Sequence, residues 1–536
     1  MVLPPTLEEL IAADHPVRVV NQIIDKINLV PLLKKYKGGG CSSYHPRMML
    51  KVLIYGYLSN IYSSRKLEAA TRENIYFMWL SGMEQPDHNT LNRFRSERLK
   101  GIIKQIFSEV VLLMASSGHV DLQQVYTDGT KIESSANRYT FVWGKAIKTS
   151  RERISKQLEE LWQYAEQVAK QELADQTPTQ FAAIDPEEVR KTIELIDRAL
   201  EDKPVAKKIR QKVKYAKKHW PGQLKSCQEK ESILEGRNSY SKTDKDATFM
   251  RMKEDHMGNG QLKPAYNVQI STSDQIIAHY SIHQNPTDTL TLKSHLDTFQ
   301  QELGAKPKEL VADAGYGSEE NYDYLASNQI EAYVKDNYFD KTQHKNELAK
   351  GNFHPDNLHY NNDLNCYYCP MGQHMKFIGN KVETTKSGYQ RRLSRYQACN
   401  CNGCPIRGAC HKSENDRIIE VSHHLIELRK RARELLNSEK GVAHRKKRPV
   451  DVEPVFGMIK QNRGFRRFLL KGIEKVTIEF GLVALAHNMM KLCTLIDLKG
   501  FLAAFLHLLL YTLSCITINA RLQKRFLPAK LIPILS

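Results

Sequence analysis

Val125-Tyr126-Thr127-Asp128-Gly129-Thr130-Lys131-Ile132-Glu133-Ser134-Ser135-Ala136-Asn137-Arg138-Tyr139 decides how the rest of the chain is read. Its β-branched and aromatic lead-in, Leu122 to Thr127, predicts a strand that delivers the carboxylate of Asp128 and breaks at Gly129. A strand end is a rigid place from which to present a ligand. The pattern recurs in the apolar run Glu309-Leu310-Val311-Ala312, which ends at Asp313-Ala314-Gly315-Tyr316. A third carboxylate, Glu453, stands in Val452-Glu453-Pro454-Val455-Phe456-Gly457-Met458-Ile459-Lys460, which reads as a short amphipathic helix ended by Gly464. Val452, Val455, Phe456 and Ile459 form its apolar face. Glu453, Gly457 and Lys460, spaced i, i+4, i+7, fall on a neighbouring one, so Glu453 can face the strand ends while Lys460 reaches a phosphate.

Between the two aspartates the order of elements is informative. Ala265–Ile270 and Ile276–Ile282, joined by the polar loop 271–275, predict an antiparallel hairpin. Thr287 or Asp288 can cap a helix from Leu290 to about Leu303, Ser318 can cap Glu319–Ser327, and Ile330–Val334 is a last strand. Three antiparallel strands followed by alternating helices and strands give an α/β, ribonuclease-H-like catalytic core. In that order the first and fourth strands end side by side, which would bring Asp128 to Asp313. Glu133, Asp244, Asp246 and Asp288 are read instead as helix caps or surface charges.

Outward from this core, the boundaries fall as a helical N-terminal part (1–120), the first part of the core (121–147), a charged helical insertion after the first strand (148–240) and the second part of the core (241–345). A cysteine-rich insertion (346–420), the last catalytic helices (421–495) and an apolar tail (496–536) follow. In the first part, Pro46 starts a helix whose buried face is Met49, Val52, Leu53, Gly56, Tyr57 and Asn60. Ser63 or Ser64 caps a second helix, and Asp87 or Asn89 a third that carries Arg93 and Arg95. Short capped helices with arginines on the last suit a helix-turn-helix-like DNA module, the alternative being a bundle with solvated arginines. The charged insertion reads as a hairpin of two helices, roughly 148–176 and 186–218. Its basic second arm, Lys207 to Lys218, either lies along phosphates or is a solvated face.

At 536 residues the chain exceeds one compact core, and its net charge of +19 favours a polyanionic partner. Arg445, Arg448, Arg463, Arg466, Arg467 and Lys471 concentrate that charge near the glutamate helix. Met1 to Glu9 contains no basic leader followed by an apolar stretch, so a cytosolic location is expected. The tail around Phe501–Ile516 is apolar but broken by His507 and short for a bilayer, which predicts a buried helix or an interface and no membrane. Six of the ten cysteines lie between Cys366 and Cys410. Cys369, Cys401, Cys404 and Cys410 have the knuckle spacing of a structural Zn2+ site, with reduced or redox thiols as the other reading. Cys41, Cys227, Cys493 and Cys515 read as structural.

Carboxylates are hard oxygen ligands, so the trio suits Mg2+ or Mn2+ held for chemistry on a phosphodiester. Together with His45-Pro46-Arg47-Met48-Met49-Leu50-Lys51, Ser63-Ser64-Arg65-Lys66-Leu67-Glu68, Pro86 to Arg95, Tyr266-Asn267-Val268-Gln269 and Phe465-Arg466-Arg467-Phe468, these blocks resemble the DDE transposases of bacterial insertion sequences, in the IS-four/IS-five superfamily. The resemblance spans roughly residues 10–495. It implies Asp128, Asp313 and Glu453 as the metal-binding triad, Lys460 as the family's lysine after the glutamate, and metal-dependent cleavage and strand transfer of double-stranded DNA at element ends and target. A homodimer in the synaptic complex and a cytoplasmic, nucleoid-associated location go with it. The family's arginine four residues before the glutamate is replaced by Pro449, and Arg448 or Arg445 stands in for it. Two other outcomes fit the same residues: an inactive DNA-binding derivative, and a ribonuclease-H-like nuclease that cuts without joining.

Overall fold

The computed structural model describes residues 5–36, 43–171, 173, 181, 185–252, 260–343 and 353–495. The readings of the apolar tail, of Cys41 and of Cys515 lie outside them. Among the described residues eight strands precede the cysteine-rich segment: β1 (Gln124–Glu133), β2 (Phe141–Trp143), β3 (Ser239–Ser241), β4 (Thr248–Arg251), β5 (Leu262–Ser273), β6 (Ile276–His283), β7 (Glu309–Ala312) and β8 (Glu331–Val334). The central sheet runs β4-β5-β1-β7-β8, with β6 also paired to β5. β5 is antiparallel to β4, β6 and β1, whereas β1, β7 and β8 are parallel. A mixed sheet of this kind needs helical crossovers, and Leu292–Leu303 and Glu319–Ser327 supply them between β6, β7 and β8. Ser318 caps the second as expected, its hydroxyl accepting from the Asn321 amide at 3.2 Å.

Three local expectations are corrected. β1 does not break at Gly129 but continues to Glu133. The β5–β6 connection is not a five-residue loop: Asp274 and Gln275, both at positive φ, form a two-residue hairpin turn, and Ser271 to Ser273 are buried strand. Asn60 is not on the buried face of the Pro46–Leu58 helix, because the helix has ended and Asn60 sits at a φ of 63°.

The N-terminal helices share one continuous hydrophobic cluster with the sheet, running from Ile11 through Leu53, Phe107 and Val268 to Leu492. Helix Ile473–Leu495 is its axis and packs on both β6 and the Pro46–Leu58 helix. That helix is long and apolar enough to cross a membrane, but 78% of its most apolar window is buried inside the protein. Three helices, not two, make up the charged insertion: Gly144–Val168, Pro186–Ala199 and Lys207–Leu234, closing on their own core of Ile154, Trp162, Ile193, Val213 and Trp220. The second run stops early because Pro204 lacks an N–H and disfavours helix at Lys203. β2 and β3 pair and close the base of the insertion. The cysteine-rich segment forms an antiparallel sheet of β9 (Tyr360–Asn361), β10 (Cys366–Tyr368), β11 (His374–Thr384), β12 (Gln390–Ala398) and β13 (Ile418–Val421) around Tyr367, Met375 and Tyr396.

Candidate active site

The last parallel rung between β1 and β7 pairs Thr127 with Ala312. Asp128 and Asp313 are the next residues on the two strands, so register alone sets them side by side. Asp128 is 6% exposed and its Oδ1 accepts from the Gly129 amide at 2.8 Å. The carboxylate of Asp313 caps the turn Ala314–Tyr316, accepting from the Gly315 amide at 2.9 Å. Gly129 is a glycine for a steric reason: a Cβ there would lie 2.2 Å from Nε2 of Gln269 and 2.6 Å from Oδ1 of Asp288.

Glu453 arrives from the other side on a helical run. Glu439–Asp451 is helical, including the basic Arg445–Arg448 block, and Glu453–Gly457 continues it into a π-helical turn, Met458–Asn462. Val452, Val455, Phe456 and Ile459 are buried as the apolar face. The wider π turn shifts the register after Gly457, and Lys460 is only 7% exposed whereas Glu453 and Gly457 are exposed. Asp451, 2% exposed, ties this run to the sheet by accepting from Thr272 Oγ1 at 2.7 Å and from the amides of Asp274 and Gln275 at 2.8 and 3.3 Å.

One cation joins the three carboxylates. The Nη2 of Arg448 lies 3.4 Å from Asp128 Oδ2 and 3.9 Å from Asp313 Oδ2, and its Nη1 lies 3.1 Å from Glu453 Oε1. Residues far apart in sequence therefore surround a single guanidinium. Arg445 does not take this place; its guanidinium stacks 5.2 Å from the Phe339 ring. Among the described residues no group of three or more His, Cys, Asp or Glu side chains stands close enough together to hold a metal ion. Even so, the donor set fits a hard divalent cation: it is all carboxylate oxygen, and it already encloses one positive charge.

Beneath the aspartates is a polar layer that sequence reasoning missed. Asp288, read as a cap or surface charge, accepts at Oδ1 from Asn267 Nδ2 and Gln269 Nε2, both at 2.8 Å. The Tyr316 hydroxyl donates to Gln269 Oε1, and burial, then the charges of Asp288, Asp128 and Asp313, push its pKa far up, so it stays a donor. The signal was present in the Tyr266–Gln269 block, where Asn267 and Gln269, two apart on a strand, turn their amides to one face.

The expected basic surface is partly interior. Arg95 is 4% exposed and donates to the Tyr57 hydroxyl and the Tyr62 carbonyl, and Arg463 is 7% exposed and faces the Tyr57 and Leu58 carbonyls. Neither reaches a surface: Arg463 faces the carbonyls that end the Pro46–Leu58 helix, and Arg95 satisfies a hydroxyl on that helix and a carbonyl in the connection after it. Arg93, Arg466 and Arg467 are exposed. Arg467 donates to the carbonyls of Ser134 and Ala136, at 3.0 Å each, and so tethers the segment after the π turn to the end of β1. In the cysteine sheet, Arg417 donates from its backbone to Cys401 Sγ at 3.4 Å and from its guanidinium to Cys410 Sγ at 2.9 Å. Cys369 and Cys401 pack on the same small core, and Cys404 is half-buried nearby in sequence.

Two family models match the chain: a transposase DDE domain over residues 368–493, which includes Glu453, and a transposase domain over residues 5–97. No curated protein and no solved structure matches. Both matches are to transposase domains, they flank the segment that carries Asp128 and Asp313, and together they indicate a DDE transposase of insertion-sequence type.

Proposed function

We propose that Asp128, Asp313 and Glu453 are the catalytic carboxylates of this transposase, on a core whose strand order is ribonuclease-H-like. The observation that carries the reading is their convergence on Arg448 from a central strand, a strand end and a helix. These residues would hold Mg2+ or Mn2+, which when bound lowers the charge of the reacting phosphate and makes an attacking oxygen more nucleophilic. Every other task falls to the chain. Asp128 and Asp313 stand side by side just past the last rung between adjacent strands, so they are brought together before substrate arrives. Exposed Arg466 and Arg467 follow Glu453 and bring positive charge to the phosphates beside the scissile bond, and Lys460, 7% exposed, adds its charge from within the protein. Attack by water breaks the P–O3′ bond at the element end and frees a 3′-hydroxyl. That hydroxyl then attacks a target phosphodiester, exchanging one P–O bond for another.

Around this centre, residues 1–120 with Arg93 are assigned to end recognition, and residues 148–240 and 346–420 to insertions of the core at 121–147, 241–345 and 421–495. Cys369, Cys401, Cys404 and Cys410 do not come together as a Zn2+ site among the described residues. A homodimer would synapse two ends, in the cytoplasm at the nucleoid. The test is Asp128→Asn assayed on end DNA with Mn2+. Cleavage should be lost while gel-shift binding persists; equal processing by the variant would refute the triad. Pre-cut ends with a target plasmid separate joining from plain hydrolysis, because a nuclease gives no joined product.

A further inference from the structure

The polar layer under the triad reaches both aspartates through one side chain. Asp288 sits in the 3-10 turn Asp288–Leu290 between β6 and helix Leu292–Leu303. Its Oδ1 is held by Asn267 and Gln269, residues of β5, and Gln269 stands opposite Gly129 in the β1–β5 register. A Cβ on Gly129 would collide with Asp288 Oδ1 at 2.6 Å, so this carboxylate lies directly against the backbone that follows Asp128. On its other side, a Cβ on Gly315 would lie 3.5 Å from Asp288 Oδ2 and 3.0 Å from Asp313 Oδ1. The neighbouring Thr289 hydroxyl donates to the Gly315 carbonyl at 2.8 Å, and Asn321 locks the pair by donating to the carbonyls of Thr289 and Tyr316 at 3.0 and 2.8 Å. The turn is closed internally by the Asp288 carbonyl, which accepts from the Thr291 hydroxyl at 2.7 Å.

We propose that Asp288 is a positioning residue for transposition: wedged between the glycines that follow Asp128 and Asp313, it sets how far apart the two catalytic aspartates stand. β1 and β7 are bonded only up to Thr127 and Ala312, so beyond that rung their divergence is open to whatever packs behind them. Asp288 is what packs there. The proposal rests on the triad reading above, and the two can fail separately.

The experiment uses the full chain, with Asp288→Ala, Asp288→Asn and Gly129→Ala compared with wild type and with Asp128→Asn. The readouts are kcat for end cleavage with Mn2+, Kd for end DNA, and circular dichroism. Asp288→Ala should lower kcat by about tenfold to a hundredfold, the cost of misplacing reacting groups by about an ångström, with Kd for DNA within about twofold. Asp288→Asn keeps an oxygen for the two amides and should restore kcat to within about threefold of wild type. Should Asp288→Ala fail to fold, Gly129→Ala takes its place, since it disturbs the same contact from the opposite side and carries the same expected split. A kcat within about twofold of wild type in the folded variant overturns the proposal. So does an Asp288→Asn variant as impaired as Asp288→Ala, which would make the charge and not the wedge the active property. Full activity of Asp128→Asn would instead sink the triad reading itself.

Discussion

Arg448 faces carboxylates from three separate elements with its two terminal nitrogens, and this makes it the side chain on which the electrostatics of the site turn. Two like charges about 4 Å apart repel by about 1 kcal/mol even in bulk water and by more where solvent is excluded. Without an interposed cation, Asp128, Asp313 and Glu453 would hold one another apart. Arg448→Gln should therefore lower the melting temperature of the metal-free protein. The same change removes a positive charge from where a divalent cation would sit, so Mn2+ should bind the variant at least about fivefold more tightly, the weight of about 1 kcal/mol. Calorimetric titration of both proteins checks this, and unchanged or weaker Mn2+ binding would show that the guanidinium does not stand in the cation's place. The motif position at which the family carries its arginine is Pro449, and only the helical phase of Glu439–Asp451 reveals that Arg448 turns inward while Arg445 stacks on Phe339.

At the scale of the element, the glutamate helix depends on Asp451. This carboxylate is buried and accepts from Thr272 and from both amides of the Asp274–Gln275 turn, and Lys447 adds an ion pair to Asp274 at 2.8 Å. Asp451→Ala would leave the amides of Asp274 and Gln275 without their acceptor and Thr272 with only the Tyr126 carbonyl, at a cost of about 2 kcal/mol. The urea midpoint should fall accordingly. If it moves by less than about 0.5 kcal/mol equivalent, the joint is not where the helix is held. This joint also shows which parts of the fold were legible. β7, β8, the Ser318 cap and the apolar face of the glutamate helix follow from local pattern, and the structure has them where the sequence places them. Ser271, Thr272 and Ser273 look like loop because their partners are remote: Thr127 and His295 for the first, Asp451 for the second, the Asp121 amide for the third. Gly129 misleads in the same way. A glycine after a strand reads as a break, and only Gln269 and Asp288, brought in by pairing, show that it marks a close approach. The burial of Arg95 and Arg463 was equally hidden, since it depends on carbonyls at the end of the Pro46–Leu58 helix and in the connection after it, which fold onto them.

Over the whole molecule, one hydrophobic cluster spans the sheet, the N-terminal helices and helix Ile473–Leu495, and several histidines are enclosed in or beside it. His487, on that helix, donates from Nε2 to the Gln275 carbonyl at 2.8 Å, and burial pushes its pKa down to about 4. Burial also holds His283 at about 4, and His279 and His295 well below the usual imidazole value. The sign of the pH effect follows from proton counting. Between about pH 6.5 and 4 the unfolded chain binds protons at these imidazoles and the folded one does not, so stability falls as pH drops through that window. For His487 alone the shift is equivalent to about 3 kcal/mol by pH 4. Because the helix bearing His487 joins the N-terminal helices to the sheet, acid should unfold both in one transition. Urea denaturation at pH 7 and pH 5 measures this: the wild type should lose stability on acidification, and His487→Gln, which keeps a donor for the Gln275 carbonyl but cannot protonate, should lose less. An equal acid loss in the variant would mean that His487 gains its proton without leaving the fold, and that the central helix does not carry the pH dependence.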